Sequence, residues 1–317
     1  MSETALRISR AGSANALELR GVSRHFGALV ALSDVSITVR AGERRAVLGA
    51  NGAGKSTILH MMAGFLAPSK GALTVDGAPT WQNPEIYRKL GLVPERDSVY
   101  AFLTGEQFVT ATARLHQLRD PERAARWAIG LTEMAPAQDR KISTYSKGMR
   151  QRIKVAAALV HDPEILLLDE PFNGMDPRQR LHMMDLLARL GREGRAILFS
   201  SHILEEVERL AGTIQVMVAG RLAASGDFRA IRRLMTSRPH VFHVRTSDDR
   251  RLAAALVGRD YTHAVEVTAK GLQVRTSDFG AFCAHIAVIS RDENIRLTEL
   301  LPTDESLESV FGYLIAK

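Results

Sequence analysis

The run Gly49-Ala50-Asn51-Gly52-Ala53-Gly54-Lys55-Ser56-Thr57 constrains this chain more than any other feature. It follows an apolar triplet, Ala46-Val47-Leu48, and precedes a helical pattern of Ile58, Leu59, Met61 and Met62. That is the strand–GxxxxGK[ST]–helix order of a phosphate-binding loop. Glycines let consecutive backbone N–H groups converge on a phosphate, and the N-terminus of the following helix favours the same anion. Lys55 is placed to reach β- and γ-phosphate oxygens, and Ser56 to offer a hydroxyl to Mg²⁺. An ordinary glycine-rich turn would need neither the strand before it nor the helix after it. The expectation is a protein that binds a nucleoside triphosphate.

A chain of 317 residues can bury one or two substantial cores. Its single cysteine, Cys283, excludes an intrachain disulfide and a cysteine-based zinc site, and its apolar surroundings suggest a buried structural thiol. The N-terminus has no continuous apolar core of the signal-peptide kind. No stretch approaches the roughly 18 apolar residues that a membrane-spanning helix needs. A cytoplasmic protein is expected, and any membrane path must come from another polypeptide. The net charge of +7 is spread along the chain without a long basic run, so no nucleic-acid partner is expected. Arg229, Arg232 and Arg233 share one face of an expected helix and read as a solvated face.

Residues 1–15 read as a loose polar tail. Strand patterns cover 17–22, 30–39, 45–48, 71–76, 90–93, 165–168 and 196–200. A mainly helical insertion runs from about 105 to 160, broken near Pro121 and Pro136. This is a largely parallel α/β sheet with helices. After Pro239 the pattern becomes β-α-β-β-α-β over 241–300, the order of a small ferredoxin-like α+β domain, with a last helix near 307–315.

Two further motifs narrow the chemistry. Ile165-Leu166-Leu167-Leu168-Asp169-Glu170 reads as a buried strand ending in two carboxylates. Asp169 would hold Mg²⁺ through its water shell, and Glu170 would polarise the attacking water as general base. A surface Asp-Glu pair after a core strand is the plain alternative, which the upstream phosphate loop disfavours. Upstream of Asp169, Ser146-Lys147-Gly148-Met149 opens an apolar helix and offers a hydroxyl and N–H groups as a second anion-binding surface. Two such surfaces in one chain are most simply explained if they face each other across a dimer.

These residues resemble the ATP-binding cassette (ABC) ATPase family over about residues 17–225, with the motifs in the family's order. In the resemblance Phe26 stacks on adenine, residues 49–57 are the Walker A loop, and residues 146–149 are the signature that contacts the ATP of a partner subunit. Asp169 and Glu170 are the Walker B pair. Asp176 is the D-loop aspartate, although before Pro177 it also suits a helix N-cap. His202, after Ile197-Leu198-Phe199-Ser200-Ser201, is the switch histidine. Phe26 alone would also suit a core position.

The fold implied is a P-loop cassette, a mostly parallel sheet with a β subdomain and a helical subdomain at about 96–160. The cassette would span 16–238, followed by an α+β accessory domain at 239–317. Implied partners are a second such cassette, identical or similar, and an integral membrane permease that holds the protein at the inner face of the membrane. Tyr100 and Phe102 fit either a permease contact or packing within the helical subdomain.

Two departures matter. Glu95 stands where the family usually has glutamine; it can still bind Mg²⁺ but adds charge near the phosphates. The signature reads Tyr-Ser-Lys-Gly-Met in place of Leu-Ser-Gly-Gly-Gln. Both variants, with the C-terminal domain, resemble type-2 bacterial exporters. The rival readings are a non-transport ABC ATPase acting on DNA or ribosomes, and an importer ATPase.

Overall fold

The computed structural model describes residues 15–227, 229–231 and 239–304. The expected helix at 307–315 and the positions of Arg232 and Arg233 lie outside the described residues. Two compact units divide the chain, residues 1–225 and 226–317.

In the first unit, β1 (Asn15–Phe26) and β2 (Leu29–Arg40) pair antiparallel through a two-residue turn at Gly27. Gly27 holds φ at +58°, the left-handed region that lets so short a turn reverse the chain. β4 (Lys70–Val75) pairs with β1, and β5 (Ala78–Pro79) with β4, giving the sheet order β2-β1-β4-β5. Alternation along these strands turns Leu17, Leu19, Val35, Ile37 and Val39 inward. They join a core with Ile58, Leu59, Met61 and Met62 of α1 (Lys55–Met62).

The second sheet has the order β10-β9-β3-β8-β7-β6. Its members are β3 (Arg44–Leu48), β6 (Leu90–Val93), β7 (Ile165–Asp169), β8 (Ala196–Ser201), β9 (Thr213–Val218) and β10 (Arg221–Gly226). The pairs β3–β8, β3–β9, β6–β7 and β7–β8 are parallel. Every residue of β7 and β8 is buried, in keeping with the apolar runs at 165–168 and 196–199 that open them. Parallel register sets Leu48 beside Ser201 and Asp169 beside Ser200. The C-terminal ends of β3, β7 and β8 therefore open on one sheet edge, where α/β folds place their ligands.

The helical subdomain packs α2 (Gly105–Leu115), α3 (Pro121–Leu131) and α4 (Lys147–Leu159) around Val109, Ala113, Ala128, Ile129 and Ile153. Each start is capped by a side chain: Thr104 in a capping box with Gln107, Asp120 ahead of Pro121, and Ser146 on Met149 N. Pro136 falls in a short 3₁₀ turn, Ala135–Ala137. α5 (Pro177–Arg192) and α6 (Leu204–Leu210) complete the unit.

The second unit follows the β-α-β-β-α-β order: β11 (His240–Thr246), α7 (Asp249–Val257), β12 (Thr262–Thr268), β13 (Gly271–Thr276), α8 (Phe279–Asp292) and β14 (Leu297–Pro302). The sheet order β12-β13-β11-β14, antiparallel throughout, is ferredoxin-like. Phe242, Val244, Leu252, Leu256 and Phe282 form its core. Cys283 is only half-buried and packs at the margin of that core, one helical position past Phe282, so the expectation of a buried thiol is corrected.

Candidate functional site

The turn from β3 into α1 depends on glycine. Gly54 caps α1 at φ +102°, and a Cβ there would stand 2.6 Å from Leu32 Cδ2 and 3.0 Å from the Ala31 carbonyl oxygen. Only a residue without a side chain lets the loop lie this close to β2. Lys55 follows, its side chain drawn inward and only 6% exposed. Its Nζ donates to the Gly49 carbonyl at 2.8 Å and the Ala50 carbonyl at 3.3 Å.

At the end of β7 the hydroxyl of Ser200, fully buried, holds both members of the acidic pair. It donates to Asp169 Oδ1 at 2.5 Å and accepts from the Glu170 N–H at 2.9 Å. Glu170 has φ +48°, a strained setting for a residue with a side chain. Its carboxylate is bracketed, with Oε2 at 2.9 Å from His202 Nδ1 and Oε1 at 3.9 Å from Lys55 Nζ. The amide of Gln151 on α4 reaches the Glu170 carbonyl at 3.5 Å.

Lys55, Asp169 and Glu170 border a cleft of about 400 Å³ whose lining also includes Phe26, Asn51, Gly52, Gly54, Ser56, Thr57 and Glu95. His202 is tied to it through Glu170 and is not in the lining. Gly49 and Ala53 lie behind that lining, and the first serves through its carbonyl. Leu29 and Val30, exposed 66% and 48%, stand with Phe26 at the hairpin tip. The guanidinium of Arg24 lies 4.5 Å from the Phe26 ring centre. The cleft thus has an apolar mouth, a floor of loop amides with one ammonium, and carboxylates at its far wall.

Residues 146–149 line a different surface. Ser146 caps α4 through its hydroxyl, 3.2 Å from Met149 N. Gly148, expected to offer a backbone N–H, is a buried residue. A Cβ on it would come within 2.9 Å of the Gly174 carbonyl and 2.7 Å of Gln179 Oε1. The Lys147 stem lies against Gly174. Asp176 caps α5, accepting from Gln179 N at 2.8 Å. The signature and the D-loop are therefore packed as one corner.

Ser200 escapes sequence reasoning, although two serines closing a buried apolar strand before His202 are a usable signal. Glu206 escapes it too. Burial raises its pKa, Ser201 donates to it at 2.6 Å, and Arg180 Nε lies 3.4 Å away. It fastens the turn after β8, where His202 sits, to α5.

The sequence-family model described as ABC transporter matches residues 32–173. The Nod factor export ATP-binding protein I of Rhizobium leguminosarum bv. viciae is 33% identical over 299 residues, covering 93% of each chain. The ABC transporter ATP-binding protein NatA of Bacillus subtilis is 37% identical over 206 residues, 63% of this chain and 83% of its own. Among solved structures, an ATP-binding subunit of an ABC transporter aligns with a TM-score of 0.64 at 31% identity, covering 69% of this chain and 92% of its own. With its phosphate loop, acidic pair and histidine gathered on one sheet edge, the chain belongs to the ABC transporter family, as an ATP-binding and ATP-hydrolysing subunit.

Proposed function

We propose that this subunit pairs with a second cassette, closes on ATP and drives an export permease from the inner face of the membrane. The observation that carries the reading is the bracketing of the Glu170 carboxylate by His202 and Lys55 at the edge shared by β3, β7 and β8. Adenine stacks on Phe26 beside Leu29 and Val30, and the loop amides of 51–57 with Lys55 take the phosphates. Glu170 removes a proton from water as its oxygen attacks the γ-phosphorus. The bond to the β-phosphate oxygen breaks, leaving ADP and inorganic phosphate. His202 orients the γ-phosphate and the Glu170 carboxylate together.

A hydroxyl at Ser56, a carboxylate at Asp169 acting through the metal's water shell and an oxygen donor at Glu95 suit Mg²⁺, which keeps several waters and takes few carboxylates. Bound there, the metal would neutralise charge on the β- and γ-phosphates. Residues 146–149 lie off the cleft, which supports their use on the nucleotide of a partner cassette. ATP bridging both faces favours the closed pair, and hydrolysis removes the bridge. Export is supported by similarity to the Nod factor export protein, which runs through the C-terminal region as well as the cassette.

Tagged Glu170→Gln protein, purified with ATP from its native membranes, tests the reading by mass spectrometry. A co-purifying polytopic membrane protein that confers outward transport supports it. Recovery with ribosomes or nucleic acid and no membrane subunit overturns it.

A further inference from the structure

One face of α4 holds the loop that carries Glu95. Arg150 and Lys154, one helical turn apart, both reach it. Arg150 Nε lies 3.0 Å from Asp97 Oδ2. Lys154 Nζ donates to the carbonyls of Pro94 at 2.8 Å and Arg96 at 3.1 Å, and stands 3.5 Å from that of Glu95. An ammonium has three donors, and this one directs all of them at three successive carbonyls.

Carbonyls satisfy the hydrogen bonds of Lys154 without cancelling its charge. The residue is 4% exposed, so water does little of that work. Burial lowers its pKa, while the carboxylates of Asp97, Asp169 and Glu95 act in the opposite sense and favour the ammonium. Two of those three, Asp169 and Glu95, line the nucleotide cleft. Where glutamine would be neutral, Glu95 brings one more negative charge to a cleft meant for a polyanion. Lys154 is a buried cation held on the backbone of the Glu95 loop, and the carboxylates of Asp97, Asp169 and Glu95 all act on it.

We propose that Lys154 is a positioning residue that pins the Glu95 loop to the signature helix and offsets the Glu95 charge, so that the cleft accepts a triphosphate. The inference rests on the reading of this cleft as the ATP site. It makes the glutamate at 95 and the lysine at 154 a matched pair.

The test is ATP affinity by calorimetry in EDTA, without divalent metal, for wild type, Lys154→Met, Glu95→Gln and the double variant. With Glu95 present, Lys154→Met should weaken binding about tenfold, the size expected of one lost charge partner in a partly buried setting. In the Glu95→Gln background the same change should cost less than about twofold. Lys154→Gln, which is neutral and too short to hold the same three carbonyls, should match Lys154→Met, and it replaces that variant if the methionine protein does not fold. Lys154→Arg should recover most of the affinity. Equal losses in both backgrounds, or no loss, overturn the pairing while leaving the ATP site intact. Failure of the wild type itself to bind ATP overturns the site and the pairing together.

Discussion

The imidazole Nδ1 of His202 stands 2.9 Å from Oε2 of Glu170, across two parallel strands whose ends are aligned by register. Neither residue could reach the other from an antiparallel neighbour, since their loops would then leave opposite edges. Glu170 makes this contact from a backbone held at φ +48°, in the left-handed region. Replacing Glu170 by Gln keeps shape and removes the base. Hydrolysis should fall by about 100-fold or more, while ATP still binds and the ATP-bound dimer accumulates on size-exclusion chromatography. Undiminished hydrolysis would refute the general-base role.

Lys55 has a different task. Its ammonium, folded onto the Gly49 and Ala50 carbonyls, is the phosphate loop's own buried cation. Lys55→Ala removes that charge at the floor of the cleft. Nucleotide affinity, measured by titration calorimetry, should weaken by about tenfold or more, the worth of one charge-assisted contact. An affinity equal to wild type would contradict its role as a phosphate ligand.

Ser200→Ala separates scaffold from chemistry. The hydroxyl it deletes satisfies the Glu170 N–H and orients Asp169. In a fully buried setting the orphaned N–H should cost about 1–3 kcal/mol of stability, read from the denaturant midpoint. The rate of ATP hydrolysis should fall as well, because Glu170 loses the anchor that holds its unusual backbone angle. A variant with wild-type stability and rate would show that this hydroxyl holds neither carboxylate.

What can be read from sequence follows from where the signals are local. β3, β7 and β8 announce themselves as buried apolar runs, and the reactive groups follow directly at their C-terminal ends. β9 and β10 are absent from the sequence reading. β10 alternates half-buried and exposed residues with Ala and Ser in its middle, so it carries little strand signal at the sheet edge. The burial of Gly148 is not legible in the sequence, because its neighbours Gly174 and Gln179 come from a distant segment. Lys154 leaves no trace either. Its partners are backbone carbonyls 58 to 60 positions away, and a carbonyl looks the same in every residue.

The stacked pair His116 and His161, ring centres 3.7 Å apart, gives the cassette an acid-side weakness. Burial, and then the neighbouring His116, push the His161 pKa down to about 4, and burial lowers that of His116 too. His161 is neutral when folded, and its Nε2 lies 3.2 Å from the Leu90 carbonyl, which makes that nitrogen the N–H donor of the neutral ring. The unfolded chain protonates near the ordinary value of about 6.5. A depressed folded pKa therefore contributes stability that is complete above 6.5 and is lost as the pH falls toward 4. His161→Phe keeps an aromatic ring on His116 and removes the titration. Urea midpoints at neutral pH and at pH near 5 should then lie closer together than in the wild type, although the variant forfeits the Leu90 hydrogen bond at both. An unchanged gap between the two midpoints would show that the acid sensitivity arises elsewhere in the fold.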